Sequence, residues 1–393
     1  MHPLARVVVL VGTALPACAR APVDPALTVV RDDPSDEPVA GATADDRRIF
    51  AAGDRLFERV FRPSQGLGPV FIQASCRGCH GDAGRGPGSV TRMVLVGDDG
   101  VRAVPDDAGL LPFGTTARPQ FTAGATRPVL PPRVPDGVHL RVSARVGPAV
   151  FGRGWIEAVD DAAMLAQEAA QRAGADGVTG RVNRLADGRL GRLGVKARVA
   201  DLDTFTADAF HGDMGLTSPR FPDEVPNPDG LVDDLRPGVD LTDETVRRTA
   251  GYVRRLAIPA RRPADPRGRA LFASVGCARC HTPALRTRAD FAVRAMAGRD
   301  AEVYSDLLLH DMGAALADGV AGEGVATERE WRTAPLVGMR FARSLLHDGR
   351  ARTVAEAVRA HGAADAESHT AARRFEGLAP ADRAALLAFV EGL

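Results

Sequence analysis

Lysine is nearly missing from this 393-residue chain: Lys196 is the only one, so arginine supplies almost all of the 50 Lys+Arg residues. They are balanced by 50 Asp+Glu, for a formal net charge of zero. A neutral chain has no basic surplus to offer a polyanion, so nucleic acid is not expected as a partner. Aromatic residues are scarce at 5%, with two tryptophans, which leaves Leu, Val, Ala and Phe to build the core. The apolar run Val7–Leu15 is far too short to span a bilayer, which takes about 20 residues. Cysteine is limited to five positions. What remains is ordinary globular composition, 45% hydrophobic and 25% charged, in a length that suits two or three domains.

The N-terminus, "MHPLARVVVLVGTALPACARAP", reads as an arginine, an apolar stretch and then small residues. That order is the pattern of an export signal. Its end, "LPAC", resembles a lipoprotein signal with Cys18 as the acylated residue; cleavage near Ala19 or Ala21 and a cytosolic apolar N-terminus are the alternatives. The expectation is a signal over 1–18 and a linker over 19–45, in a protein of the periplasm or the outer membrane. Contact with the membrane would come only through a lipid on Cys18.

The other four cysteines stand in two copies of one unit, "SCRGCHGDAGRG" and "GCARCHTP". A disulfide framework needs no histidine after each pair. A four-cysteine zinc site or a redox dithiol would leave His80 and His281 unexplained. Cysteines at i and i+3 lie one helical turn apart, which suits thioether bonds to the two vinyl groups of a haem, and the following histidine can then reach the iron. Cys76, Cys79, Cys277 and Cys280 are thus candidate anchors for two covalently bound c-type haems, with His80 and His281 as proximal ligands.

The surroundings repeat as well. "AAGDRLFERVF", with Gly53, Leu56 and Phe57, precedes the first unit, and "DPRGRALFASV", with Gly268, Leu271 and Phe272, precedes the second. "LTDETVRRTAGYVRRL" has Thr242 as a predicted N-cap and Val246, Ala250, Val253 and Leu256 on one face. "LAPADRAALLAFVEGL" opens with Pro380 and places Leu386, Val390 and Leu393 together. The predicted fold is mainly α: two cytochrome c-like haem domains in tandem over 46–262 and 263–393, joined at "ARRPADP". The first carries inserted small β hairpins, including "TRMVLV", "GVHLRVSARV" and one turning at Asp187-Gly188. Two weaker echoes pair "RVGPAVFG" with "RTAPLVG" and "HGDMG" with "HDMG".

A thioether suits the sixth position of an electron-transfer iron. Met312, 31 residues past His281, is the candidate for the second haem, and Met214 its counterpart for the first. His211 and His310 are rival ligands. Trp155 and Trp331 could lie between the haems or simply fill the core, while Glu157, His139 and Lys196 lie in loops that could face a haem.

"YSDLLLHDMGAALADG", "EWRTAPLVGMRFARSLLHDGRARTVAEAV" and "HGDMGLTSPRFP" resemble the bacterial dihaem oxidoreductase family, whose members are labelled peroxidases or thiol oxidoreductases. The second half is also similar to dihaem cytochrome c peroxidases and to the dihaem enzyme of methylamine-dehydrogenase maturation, through Arg332, Pro335, His347, Asp348 and Gly349. The resemblance implies that Cys277, Cys280, His281 and Met312 serve an electron-transfer haem, and Cys76, Cys79 and His80 a peroxidatic one. It implies Asp213, before Met214, as the acid-base residue in place of the relatives' glutamate, with Phe205 near a position where they carry glutamine. If Met214 binds iron, His211 becomes the alternative proton shuttle. The implied partners are a small cytochrome c or cupredoxin and an oxidant such as hydrogen peroxide; calcium enters by family analogy alone. A dihaem electron-transfer protein is the alternative. A thiol oxidase would differ only in substrate, and no cysteine remains for it. The His-Asp pairs at 310–311 and 347–348 are too isolated for a metal phosphohydrolase.

Overall fold

A computed structural model describes residues 37–81, 89–98, 100, 103–147, 149–231, 238–263, 265–320 and 323–393. The expected signal, Cys18, most of the linker and the glycine-rich loop at 82–88 lie outside these residues.

The architecture is helix-rich with small sheets. Helix α1 (Ala44–Glu58) starts at a reciprocal cap: the Asp46 N–H donates to the Thr43 hydroxyl oxygen, and the Thr43 N–H donates to the Asp46 carboxylate. The first haem-type motif forms α2 (Cys76–His80). After α3 (Arg153–Ala158), α4 (Asp161–Arg172) and α5 (Leu202–Met214) comes α6 (Asp243–Arg255), capped by Thr242 as predicted. Val246, Ala250 and Val253 of α6 are buried. Helix α7 (Pro266–Val275) precedes the second motif, and α8 (Val354–Ala360), α9 (His369–Glu376) and α10 (Pro380–Gly392) close the chain.

One crossing device occurs twice. Helix α1 lies so close to α6 that a Cβ on Gly53 would fall 2.2 Å from the Arg248 carbonyl oxygen. Helix α7 meets α10 the same way, with Gly268 against the carbonyl of Ala385. Aromatic pairs flank both crossings: Phe57 on Tyr252 at 5.1 Å, and Phe272 on Phe389 at 5.4 Å. Only glycine allows backbones this close, which accounts for Gly53 and Gly268 at matching places in the two sequence copies.

Among the described residues there are five two-stranded antiparallel sheets. Strands β1 (Val70–Phe71) and β3 (Gln120–Phe121) pair, as do β2 (Ser89–Val96) and β4 (His139–Val146) over eight positions. Strands β5 (Asn183–Arg184) and β6 (Leu190–Gly191) form the hairpin expected around Gly188, whose φ is +83°. In the second half β7 (Leu285–Arg286) pairs with β8 (Asp300–Ala301), and β9 (Leu309–Asp311) with β10 (Glu330–Arg332).

The larger core gathers Phe151, Trp155, Ile156, Leu193 and Tyr252 together with Val293, Met296, Leu307 and Leu308, so it draws on both sides of residue 262. A smaller core of Phe272, Val275, Phe375, Leu386 and Phe389 belongs to the second half. One sequence echo is a physical contact: a Cβ on Gly338 would fall 2.6 Å from the Phe151 ring, and one on Gly152 would fall 3.6 Å from Val337. The other echo is sequence only, since "HGDMG" ends helix α5 while "HDMG" begins in strand β9 and leaves it after Asp311.

Candidate functional site

Both Cys-x-x-Cys-His units are turns of helix. In α2 the Gly78 N–H donates to the Ser75 hydroxyl oxygen at 3.0 Å, and the i, i+3 spacing puts Cys76 and Cys79 on one face. In the second unit Gly276, at φ +110°, leads into a tight turn over Cys277–Arg279, and the His281 N–H donates to the Cys277 carbonyl at 2.9 Å. Phe57 lies 6.1 Å from the His80 ring and Phe272 lies 6.5 Å from the His281 ring, repeating one arrangement. No disulfide joins any two of these four cysteines. Burial pushes Cys76 up to about 12 and Cys277 up to about 11. Cys79, half-buried and beside the Asp213 charge, rises to about 11.

The second unit opens onto a cavity of about 350 Å³, walled by Cys277, Cys280 and His281 and faced by Met312, Trp331 and His361. The His281 Nδ1–H donates to the Tyr304 carbonyl at 3.1 Å, and the His361 Nδ1–H donates to the Ala357 carbonyl at 2.7 Å. In each ring this fixes the tautomer and leaves Nε2 with its lone pair. Burial lowers both histidines, His281 to about 4, so both are neutral imidazoles. Two neutral imidazoles, a thioether and two thiols in one apolar cavity are a donor set that fits a haem iron and its vinyl groups. Arg153 and Arg332 on the wall add the positive charge that the propionates of such a group require. Met312 has its sulfur 4.0 Å from the Ser368 hydroxyl, a weak donor contact.

His310 is committed elsewhere. Its Nδ1 lies 2.7 Å from Glu367 Oε2 and its Nε2 lies 2.9 Å from Asp306 Oδ2, with the ring 2% exposed. Burial disfavours its charge, but the Asp306 carboxylate against Nε2 is among the groups that outweigh that and raise His310 well above the ordinary value. A ring with both nitrogens on carboxylates has none left for iron.

At the first unit, helix α5 ends at Gly215 in the left-handed region and brings Asp213 beside the thiols. Burial is the main reason Asp213 rises to about 7; Asp208 adds to it, against Arg118, Arg198 and Arg92. The Asp213 charge is in turn the second cause, after burial, of the raised Cys76 and Cys79. Met214, the next residue, is rotated by about 100° on the helix. It is 3% exposed in a cluster with Phe61, Phe210 and Leu216 that also touches Cys76. His211 donates from Nε2 to the Asp223 carbonyl at 2.9 Å and stacks on Phe221 at 5.5 Å. Phe205 packs against the larger core.

Trp155 is buried in that core. Trp331 stacks flat on His347, with ring centroids 3.7 Å apart. Glu157 accepts from Arg254 at 2.5 and 2.9 Å and from the Leu202 N–H at 2.9 Å, so it is a structural ion pair. His139 is exposed on β4. Two groups were not singled out from sequence: His361, which carries no motif, and Arg118, whose Nε donates to the Gly212 carbonyl from 94 residues away.

A family profile described as "Di-haem oxidoreductase, putative peroxidase" matches residues 136–393, which include the second Cys-x-x-Cys-His unit and begin after the first. No curated protein matches the chain. Among solved structures, hydrazine synthase from Kuenenia stuttgartiensis aligns at 13% identity and TM-score 0.38, over 100% of each chain. A variant of a diheme peroxidase from Burkholderia thailandensis aligns at 17% identity and TM-score 0.38, over 94% of this chain and 88% of that one.

Proposed function

This chain belongs to the di-haem oxidoreductase family, and on that premise we propose that it is an exported peroxidase with two covalently attached c-type haems in tandem cytochrome c-like domains. The twice-used glycine crossing and the matching Phe–His placements support the tandem reading. Cys76 and Cys79 would anchor one group and Cys277 and Cys280 the other, with His80 and His281 as proximal ligands.

One observation carries the peroxidase reading: Asp213, a carboxyl with its pKa near 7, stands beside the thiols that would hold the first haem. A haem supplies, when bound, an iron able to bind peroxide and to pass on single electrons. Asp213 is suited to take a proton from the near oxygen of a peroxide and return it to the far one, because its pKa lies close to working pH. Arg118, which lowers Asp213 against the effect of burial, keeps its carboxylate form accessible. His211 is tied to the Asp223 carbonyl through its one Nε2 proton, so it is the poorer shuttle.

The cavity at the second unit supports an electron-relay role. His361 presents a neutral Nε2 there, and we propose it as the sixth ligand, with Met312 as the competing donor. Electrons would come from a small cytochrome c or cupredoxin in the periplasm.

The test is a pyridine haemochrome assay on the full chain, followed by turnover of hydrogen peroxide with a reduced cytochrome as donor. Two covalent haems per chain and turnover that the Asp213→Asn variant loses are expected. A colourless or zinc-loaded protein overturns the haem reading. The contact of the Met214 cluster with Cys76 favours the second reading, an electron-transfer protein with both irons six-coordinate. Absence of any high-spin haem signal in every redox state, with no turnover, would establish that one.

A further inference from the structure

Lys196 is the one lysine among the 50 Lys+Arg residues, and it is fully buried, with 0% exposure. It sits in a tight turn where the Ala197 N–H donates to the Gly194 carbonyl at 3.2 Å and Ala197 itself takes a φ of +51°. From there the ammonium reaches across to the second half of the chain. Its Nζ donates to the Thr327 carbonyl at 2.6 Å and to the Glu330 carbonyl at 3.3 Å, and lies 3.5 Å from Asp318 Oδ1. It also stands 4.2 Å from the centre of the Trp331 ring.

An ammonium has three N–H donors, and three oxygens converge on this one. Two carbonyls and a carboxylate are the same donor types that bind hard metal cations, here in the number that matches an ammonium's three N–H groups. The surroundings keep these ligands in place. Asp318 accepts from the Ser143 hydroxyl at 2.7 Å, from Arg145 Nη2 at 2.9 Å and from the Val320 N–H at 3.0 Å. Arg145 also grips both Glu323 oxygens, at 2.8 and 2.9 Å. Asn183 Nδ2 donates to the Lys196 and Glu323 carbonyls at 2.8 and 3.0 Å. Lys196 and Arg145 thus face Asp318 and Glu323, and Arg198, itself paired with Asp208, lies 3.9 Å from the Glu323 carboxylate.

A guanidinium cannot take this place. It is planar and broad, and it carries five donors in a fixed fork where the pocket offers three acceptors around a point. That accounts for a lysine surviving here in a chain that otherwise uses arginine. The His347 imidazole stacks on the Trp331 indole with centroids 3.7 Å apart, and the Lys196 ammonium stands 4.2 Å from the centre of the same indole. Its Nε1–H donates to the Leu316 carbonyl at 2.9 Å. Trp331 and His347 both line the cavity beside Cys277 and His281.

We infer that Lys196 is a tethered cation: its ammonium fills a carbonyl-lined cage that fastens the turn at 194–197 to the β9–β10 hairpin and holds Trp331 flat on the cavity wall. Emptied of the side chain, the cage should accept a small alkylammonium ion.

Two measurements on the full chain test this. With ¹⁵N-labelled lysine, the protein has one side-chain signal to observe. A protonated, slowly exchanging ammonium is expected; a neutral amine, or exchange as fast as free lysine, overturns the inference. Lys196→Ala, Lys196→Met and Lys196→Arg are then melted with methylammonium chloride, sodium chloride at matched ionic strength, or calcium chloride. Lys196→Ala should melt several degrees below the parent and recover saturably with methylammonium but not with sodium. The methionine and arginine variants should stay low. A Lys196→Arg protein that melts with the parent, an alanine variant indifferent to methylammonium, or rescue by calcium alone would overturn it. If Lys196→Ala does not fold, the labelled parent protein still decides.

Discussion

Gly268 faces the carbonyl oxygen of Ala385 so closely that a Cβ on the glycine would lie 2.3 Å away. Backbone cannot yield as a flexible side chain can, so Gly268→Ala must push α7 off α10. The expected cost is about 2 kcal/mol, in the range of overpacked cores, read as a lower denaturant midpoint with an unchanged slope. Gly53→Ala should behave alike at the α1–α6 crossing.

Removing anchors one motif at a time should separate the two haem sites. The double variant Cys76→Ser/Cys79→Ser should carry one covalent haem per chain in place of two, and Cys277→Ser/Cys280→Ser likewise. A haem stain on a denaturing gel and the haemochrome assay would check this. Two haems in either variant would break the proposed assignment.

Asp213→Asn keeps the shape of the side chain and removes its titration. Peroxide turnover should fall about 100-fold, the lower end of general acid-base effects, with little change in melting temperature. The pH profile of kcat/KM should also lose its inflection near the Asp213 pKa of about 7.

His361→Ala and Met312→Ala distinguish the donors in the cavity at the second unit. His361→Ala should convert one low-spin haem to high spin and shift its midpoint potential without loss of covalent haem. Met312→Ala should leave the spin state unchanged. Absorption and electron paramagnetic resonance spectra, with a potentiometric titration, provide the readout; the reverse pattern would make Met312 the ligand.

Asp46 ties the start of α1 to the end of α6 through Arg255 at 2.8 Å, in a pair whose side chains are each 8% exposed. Burial alone would raise its pKa, but the Thr43 hydroxyl and N–H and the Arg255 guanidinium together lower it below 3.8. For a depressed carboxyl, the stabilisation is present above the unfolded value and lost as pH falls through the folded one. Asp46→Ala should therefore cost about 3 kcal/mol at pH 7 by stranding a buried cation, and the gap to the parent should close below roughly pH 4. A gap that does not depend on pH would show that the charge is not the source.

Much of this architecture was legible because it is local. The thiol spacing, the Thr242 cap, Pro380 at a helix start and the Asp187-Gly188 turn are properties of short segments. They act through i to i+4 geometry or through a conformation that one residue type alone permits, so the amino-acid order by itself determined the two motifs, their flanking helices and the chemistry those residue types can support. The surroundings that set each side chain's role are of another kind. Lys196 meets Thr327 across 131 positions, Arg118 meets Gly212 across 94, and His310 meets Glu367 across 57. Protonation, tautomer and access depend on which dipoles and charges surround a group once water has gone, and linear order does not encode that neighbourhood. Only the tertiary structure turned His361 toward the cavity, locked His310 between two acids, raised Asp213 and enclosed the one lysine, because burial multiplies electrostatic effects that solvent would otherwise screen.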